Sequence, residues 1–464
     1  MRRCHVWLAL GGLVALAGAP VVLHAQGFSV NEHGTCAMGR AGTGVAAPCD
    51  DGSAMFFNPA GVASVPSGRT QISLGGVFIA PNGGFTQDAT GLSSDLNKKV
   101  FPVPALYVTH GFSDRFAAGL GVFAPYGLTT DWPTDAIGRF SSFKSVIRNV
   151  YVQPTLAFKL SKYMKVGAGF DVNFLHLELN QRVDLYDQLF PSPLVPPGTT
   201  FGGFGIPAGT DFAEAKVSGS KTGVGYHVGL IVEPTDKISF GVRYLSRQKI
   251  DGIDGTAEFK QVSTGILIPQ GSPFLNIPGV VVGTPLDSVL APQFRPGGSL
   301  VNQGGATGVR LPEQLSLGVA FRPTDKLQLL VDYGMQNWEV WDAIVLDFEL
   351  LGPTTLPQAF VKTHSWRFGG EYGVSSSTKV RAGFLTHTGA APDENVTPTL
   401  PEGARTEFTV GFGTRLGGSG HVDLAYQYID QADRRGRSRE AGTPNDGLYN
   451  FKAHLFGATF TWNF

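Results

Sequence analysis

The sequence predicts an all-β fold, a 14-stranded antiparallel transmembrane β-barrel with an N-terminal plug, or hatch, in its lumen. Many segments alternate apolar and polar residues with a period of two, as strands with one apolar face do. Short and long connections between these segments also alternate, which is typical of outer-membrane barrels. After the N-terminus, no apolar run approaches the roughly 20 residues that a membrane-spanning helix needs. A soluble sandwich would share the period of two but gives no reason for its loops to be sorted by length.

Residues 1–25 predict a signal peptide. Arg2 and Arg3 precede an apolar stretch at 8–19, and the chain can be cleaved after Ala25. A membrane anchor is the alternative, but the stretch is short and Pro20 interrupts it. We therefore expect the mature chain to leave the cytoplasm and to reside in an outer membrane, among lipid and lipopolysaccharide.

The composition fits this class of protein. The chain has 464 residues, of which 16% are charged, and its net charge is −1. A charge this balanced gives no indication of nucleic-acid binding. The 62 Gly and 33 Phe suit a barrel, whose lipid-facing residues are diluted by alternation.

Residues 26–66 precede the first convincing strand, and the barrel is predicted to span 67–464. This leading segment is rich in Gly and Ala and has neither a strand nor a helix period. A barrel of this size is too wide for its own side chains to fill, so we interpret the segment as a hatch inside the lumen. A disordered periplasmic tail is the alternative, but Met55 and Phe56 would be of little use to a solvated tail.

Cys36 and Cys49 are the cysteines that remain after the predicted signal peptide is removed. In an oxidising compartment a disulfide between them is expected, although two free thiols stay possible because the sequence cannot show that they meet. Only His33 lies nearby, so we expect no metal site, and no motif indicates a cofactor.

Counting connections predicts the number of strands. The short turns lie at 113–114, 161–162, 234–236, 323–325, 375–377 and 417–420. The long loops lie at about 80–102, 125–145, 181–214, 263–308, 338–359, 389–403 and 432–448. Six turns and seven loops predict 14 strands, with both chain ends on the periplasmic side.

Two strands are expected to be irregular. One, at about 237–262, contains Asp251-Gly252 and Asp254-Gly255, which predict a bulge or a rise above the membrane. In the other, Phe451 and Leu455 break the alternation of residues 456–464, which predicts a bulge or a shift near Leu455. This last strand ends in Phe464, and its ending resembles the C-terminal signal that the barrel-assembly machinery recognises. We expect that machinery as a partner, and we expect the protein to be a monomer.

Five blocks of sequence are similar to one known family. They lie at 27–32 (GFSVNE), 50–60 with an Asn-Pro-Ala motif, 121–128, 311–338 and 391–405. On these blocks the chain resembles the FadL/TodX family of outer-membrane transporters for hydrophobic compounds. The resemblance implies that a ligand is captured at external loops, binds beside the hatch and leaves sideways through the wall. The matching hatch residues are Phe28, Asn58, Pro59 and Ala60.

The resemblance also implies the cargo, with long-chain fatty acids expected first and neutral aromatic or aliphatic hydrocarbons as the alternative. Two long loops carry apolar residues that could capture such a ligand: Leu189, Phe190, Phe201, Phe204, Phe274 and Leu275. Apolar side chains this dense in external loops need a reason. The loops could equally pack on each other as a lid, which does not exclude capture.

A sideways exit needs an interrupted strand. The candidate gate is Ala124, Pro125, Tyr126 and Gly127. Proline lacks a ladder donor and glycine permits a kink, although Pro125 could simply begin an external loop. A fatty acid would also favour a cation in the lumen, and the candidates are Lys165, Arg182, Arg243 and Arg381. Each could instead be an ordinary charge of a polar barrel interior.

Two other functions remain as alternatives. A general porin for small polar solutes would need an open lumen, which the predicted hatch argues against. An enzyme would need a catalytic constellation, and the nearest approach is Gly418-Ser419-Gly420-His421 in a periplasmic turn, where the sequence places no acidic residue to orient the histidine. We expect the protein not to be an enzyme.

Overall fold

The computed structural model describes residues 27–190, 196, 198–437 and 445–464. The predicted signal peptide lies outside the described residues. No helix in the described part of the chain is long and apolar enough to span a membrane.

Antiparallel strands make up most of the chain. They are β1 (Thr70–Gln87), β2 (Ser93–Asp95), β3 (Phe101–Gly111), β4 (Phe116–Asp131), β5 (Lys144–Ser161), β6 (Met164–Asp184), β7 (Asp211–Thr235), β8 (Ile238–Leu245), β9 (Gln248–Gln261), β10 (Gln303–Leu311), β11 (Gln314–Thr324), β12 (Leu327–Gln336), β13 (Ala343–Phe348), β14 (Gly352–Pro357), β15 (Thr363–Gly373), β16 (Thr378–His387), β17 (Arg405–Leu416), β18 (Gly420–Gly436) and β19 (Gly447–Asn463). The short helices are α1 (Thr35–Met38), α2 (Ala54–Phe57) and α3 (Leu286–Leu290). Single 3₁₀ segments lie at Pro59–Ser64, Gly202–Phe204, Pro273–Asn276, Ala291–Phe294, Trp338–Val340 and Asp393–Asn395.

These strands form one closed barrel wall with 14 positions, here called staves, each made of one strand or of two strands in succession. This confirms the predicted fold class. β8 and β9 form one interrupted stave beside β7, and β10 and β11 form the next. β2 and the hairpin β13–β14 are additions at the loop end of the wall. The wall closes where β1 pairs with β19 over its whole length, from Gln71 opposite Asn463 to Gln87 opposite Gly447.

The outer surface of the wall carries the apolar faces, as the alternation predicts. Phe170 and Val224 are more than 70% exposed, which suits residues that face lipid. Phe464 is also 73% exposed, and its N–H donates to Thr70 O at 2.8 Å, which ties the last residue to the first stave.

The predicted bulge at Asp251-Gly252 is present, opposite a break in pairing between Thr307 and Val309. The predicted bulge near Leu455 is wrong, because β19 keeps one register with β1 throughout. Leu455 is buried in the lumen in the same cluster as Met38. An inward apolar residue is favourable here because the lumen is occupied by protein rather than water.

Candidate functional site

Residues 27–66, here called the hatch, lie inside the wall and are almost all buried. The Asn-Pro-Ala motif explains one of its attachments. Asn58 Nδ2 lies within hydrogen-bond distance of Val45 O at 2.7 Å, Leu230 O at 3.0 Å and Val242 O at 3.3 Å. Its Oδ1 accepts from Ala60 N at 3.1 Å, which starts the 3₁₀ segment that follows. One side chain therefore fixes the hatch to itself and to two neighbouring staves.

Glycines in the wall make room for the hatch, because they have no side chain. A methyl group added at Gly383 would lie 2.5 Å from Ala41 N, and one added at Gly411 would lie 2.8 Å from Gly39 Cα. A methyl group added at any of ten such glycines, here called the glycine belt, would lie within 3 Å of a hatch atom in the described structure: Gly111, Gly119, Gly167, Gly229, Gly241, Gly318, Gly369, Gly383, Gly411 and Gly457. They lie on ten different strands, so the hatch packs closely on the wall around most of the ring.

Hydrogen bonds fix the same contact. Asp332 Oδ2 accepts from Gly44 N at 2.7 Å and from Val45 N at 3.0 Å. Thr409 Oγ1 accepts from Ala41 N at 2.9 Å. Buried backbone N–H groups left without such acceptors would each destabilise the hatch by about 1–3 kcal/mol. The hatch therefore has a defined seat rather than a loose position in a wide lumen.

A disulfide joins Cys36 and Cys49, whose Cα atoms are 6.3 Å apart. The disulfide closes the loop that contains Gly44 and Val45, whose N–H groups donate to Asp332. The cross-link and these hydrogen bonds therefore restrain the same loop. Both cysteines are buried.

Burial also shifts the pKa of three hatch residues. It raises the pKa of Asp51 to about 6, although Ser53 donates to this carboxylate at 2.5 Å and opposes the shift. Burial lowers the pKa of His33 to about 3, so the ring is neutral. Burial and the neighbouring Glu407 raise the pKa of Glu32.

The four candidate cations have different surroundings. Arg381 donates to Glu371 at 2.7 Å and to Asp423 at 2.5 Å, so its charge is already balanced. Lys165 contacts Glu233 at 2.9 Å. Arg182 contacts Glu214 at 2.8 Å.

Arg243 is the exception among the four. It is buried in the lumen, donates to Gln314 Oε1 at 2.8 Å and lies 4.4 Å from the centre of the Phe56 ring. Its Nε has no hydrogen-bond partner among the described residues. Arg243 is thus the candidate with the most capacity for an anionic ligand, but it is not among the residues that line the apolar cavity described next.

Above the hatch lies an apolar cavity. Phe28 and Trp341 border it from the hatch side, and residues of β4 to β7, β9, β10 and β13 form its walls. Glu178 is the one ionisable residue on the described lining, and its Oε1 lies 2.7 Å from Lys144 Nζ. The cavity therefore offers an apolar ligand a large contact surface and no free cation.

Residues 27–31, here called the N-terminal arm, connect this cavity to two other parts of the protein. Gly27 N donates to Glu402 Oε1 at 2.8 Å, which attaches the arm to the loop before β17. The Phe28 ring lies 4.6 Å from that of Trp338 and 5.0 Å from that of Trp341. The arm thus holds an aromatic ring at the edge of the cavity.

The arm also pairs with the candidate gate. Val30 N donates to Pro125 O at 2.9 Å, and Gly127 N donates to Phe28 O at 3.0 Å. A break in the β4–β5 register between Phe123 and Tyr126 leaves Ala124 and Pro125 outside the ladder. β4 then continues to Asp131, so Pro125 lies inside a strand and does not begin the external loop.

Beside this kink the wall has an opening, here called the wall window. β3 pairs with β4 only from Gly111 up to Leu106, which lies opposite Val122. Above that point β3 continues to Phe101 beside β1 alone. Asn97 N donates to Asp131 O at 2.8 Å and closes the top of the window.

The window passes through the wall. It is lined by lumenal residues such as Glu407 and by the lipid-facing Val150. It shares Phe28, Leu128 and Ile147 with the apolar cavity. A molecule in the cavity therefore borders on the path to the outer surface of the barrel.

The described parts of loops 185–210 and 262–302 form a separate apolar cluster, here called the loop lid. The rings of Phe190, Phe201, Phe204 and Phe274 lie 4.7–5.9 Å apart in adjacent pairs. Leu275 packs on this cluster, whereas Leu189 is 66% exposed. Most of the candidate capture residues therefore pack on each other, which matches the lid alternative and leaves Leu189 accessible.

Sequence reasoning missed three kinds of residue. The glycine belt was not predicted as the contact surface of the hatch, because strand parity places Gly383 inward but does not show which residues it meets. Trp341 and Glu178 gave no signal, because their role depends on which staves meet around the cavity. Asp423 was also missed as a neighbour of His421, at 3.0 Å, although it contacts Arg381 as well.

Comparisons with known proteins agree with this architecture. The family model for outer membrane protein transport proteins (OMPP1/FadL/TodX) matches residues 16–464. The long-chain fatty acid transport protein of Escherichia coli K12 is 22% identical over 470 residues, which cover 97% of this chain and 98% of the relative. A 47 kDa outer membrane protein of Pasteurella multocida is 24% identical over 469 residues, with 98% of each chain covered.

Solved structures share the fold. A FadL homologue of Pseudomonas aeruginosa superposes with a TM-score of 0.77 at 21% identity, covering 94% of this chain and 99% of the homologue. The toluene transporter TodX of Pseudomonas putida gives a TM-score of 0.65 at 15% identity, with 95% and 98% covered. The full-length family match confirms the resemblance seen in the sequence. The chain belongs to the OMPP1/FadL/TodX family, and it is an outer-membrane transporter of hydrophobic compounds.

Proposed function

We propose that the cargo enters beneath the loop lid, occupies the apolar cavity and leaves sideways through the wall window. The observation that carries this proposal is the shared lining of the cavity and the window, which join at Phe28. The hatch supports it from below, because the glycine belt leaves little space between hatch and wall. A hydrophobic molecule that leaves through the window enters lipid and never crosses the water of the periplasmic mouth.

The cavity supports a neutral cargo over a carboxylate. A fatty-acid carboxylate placed there would meet no cation, because the one ionisable residue on the described lining is the anion Glu178, which is paired with Lys144. Moving a charge from water into an apolar site without a partner is strongly unfavourable. A molecule with an uncharged polar end, or none, meets no such penalty, so hydrocarbons and their neutral derivatives are the better fit.

Long-chain fatty acids are the second candidate. The window, unlike the cavity, is lined by Arg148 and Arg405. A fatty acid could place its chain in the cavity and its carboxylate among these cations. The name of the E. coli relative also favours this cargo.

A matched pair of probes separates the two candidates. We expect 1-hexadecanol to bind the purified protein at least about tenfold more tightly than palmitate at pH 8, since a desolvated carboxylate near Glu178 costs more than about 1.4 kcal/mol. Glu178→Gln should raise the affinity for palmitate and leave that for hexadecanol unchanged. Competition for a bound fluorescent probe measures both. Tighter binding of palmitate by the unsubstituted protein would favour the fatty-acid reading.

The exit is tested at the kink. Pro125→Val combined with Gly127→Val supplies strand-forming residues, and we expect uptake into cells to slow while binding of hexadecanol is retained. Pro357→Val, on the exposed hairpin strand β14, is the matched control and should leave uptake unchanged. Normal uptake by the kink variant would place the exit elsewhere.

A further inference from the structure

The edge of β3 that borders the wall window carries two prolines. Pro102 and Pro104 lie in the upper part of β3, where the strand has no partner on the β4 side. Both line the window. An unpaired strand edge normally exposes N–H groups that attract another strand.

The direction of their nitrogen atoms follows from the ladder. Gly111 N donates to Arg69 O on the β1 side, and Phe112 N donates to Phe116 O on the β4 side. Successive residues of an antiparallel strand address opposite neighbours. Because β3 pairs with β1 without a register shift from Phe101 to His110, the even-numbered positions address β4 throughout.

Pro102 and Pro104 therefore lack N–H donors on the window side of β3, and only on that side. Their position removes nothing from the β1–β3 ladder, where the odd-numbered residues make the hydrogen bonds. Extending the β3–β4 register of Leu106 opposite Val122 would place position 104 opposite Ala124. The two prolines remove the N–H groups that this extended pairing would use.

We propose that Pro102 and Pro104 are positioning residues that keep the wall window open, by preventing β3 from pairing with β4 above Leu106. This rests on the proposed sideways exit. They act in two ways. Without N–H groups, the edge cannot close the ladder across the window, and it leaves no unpaired donor beside lipid. The kink at Pro125 interrupts the β4–β5 ladder beside the window, and the prolines of β3 leave the facing edge without donors.

The test restores the donors. Pro102→Thr with Pro104→Thr supplies two N–H groups and a residue that favours strands. We expect uptake of hexadecanol to fall about tenfold, the effect of two added backbone hydrogen bonds of ordinary net strength. Binding to the purified protein should stay unchanged. Leu106→Thr is the control, because it places threonine on the same outward face of β3 at a position already paired with β4.

A cross-link reads the pairing without transport. Position 104 would face Ala124 at about 5.5 Å between Cα atoms if the ladder closed, which is within disulfide range. Pro104→Cys with Ala124→Cys should therefore cross-link more completely when Pro102→Thr is added. Equal cross-linking and equal uptake in the variants and the Leu106→Thr control would overturn the inference, with assembly checked by the heat-dependent shift in gel migration.

The two readouts separate this inference from the proposed function. If cross-linking rises and uptake stays normal, the prolines keep the window open but the cargo leaves by another path. If cross-linking stays unchanged while the kink variant slows uptake, the exit holds and the role of the prolines is wrong.

Discussion

Replacing Gly369 with leucine is expected to turn the protein into a conducting pore. Gly369 faces the hatch, and a methyl group there would lie 2.5 Å from Arg40 O. A leucine side chain cannot fit into that space, because the nearest atoms belong to the hatch backbone and to Thr43. Overpacking of this kind costs about 1–3 kcal/mol or more, and movement of the hatch out of its seat relieves it.

Conductance across a planar bilayer measures the outcome. We expect Gly369→Leu to show large, steady conductance steps and the unsubstituted protein to show few. Gly370→Leu is the matched control, since this neighbouring glycine has no atom closer than 3.9 Å and occupies the opposite face of β15. A Gly369→Leu barrel that is assembled and still closed would show that the glycine belt does not seal the lumen.

Removing the disulfide is expected to release the hatch under milder conditions. Cys36 and Cys49 close a loop with a sequence separation of 13, and opening a loop of that length costs roughly 3 kcal/mol on the chain-entropy estimate. That loop contains Gly44 and Val45, the donors to Asp332. Loss of the cross-link should therefore loosen the contact with β12 as well.

The double substitution Cys36→Ser with Cys49→Ser tests this by titration. We expect the urea concentration at which conductance appears to fall clearly below that of the unsubstituted protein. Treatment of the unsubstituted protein with a membrane-permeant reductant should give the same shift, whereas the serine variant should not respond to it. An unchanged urea midpoint in the serine variant would mean that the hydrogen bonds and the belt alone hold the hatch.

The fold was predictable because the strands and connections of a barrel each have a recognisable sequence pattern. Strand parity and loop length depend on local residues, so the turns near Ser113 and Pro234 could be placed without any knowledge of long-range contacts. The parity of Leu455 misled for a physical reason. Its neighbours in space are hatch residues such as Met38. Because the hatch fills the lumen, an apolar side chain is favourable on the inward face of β19.

The proposed transport path was less predictable. Pro125 signalled a kink from local chemistry, but the window beside it depends on where β3 stops pairing, which no local pattern gives. The cavity likewise depends on which staves meet around Phe28. The candidate cations show the same limit. Strand parity places Arg381 in the lumen but cannot reveal that Glu371 and Asp423 already form ion pairs with it.

The glycine belt has a consequence for how this protein tolerates mutation. At most positions in a protein some substitutions remove atoms and others add them, so a neutral exchange can usually be found. Every substitution at a belt glycine adds atoms, and at all ten positions those atoms would enter space held by the hatch. The seal of the lumen therefore depends on ten separate sites where a substitution can only add atoms. Natural variants with a larger residue at any of these sites should also carry a smaller residue at the facing position of the hatch.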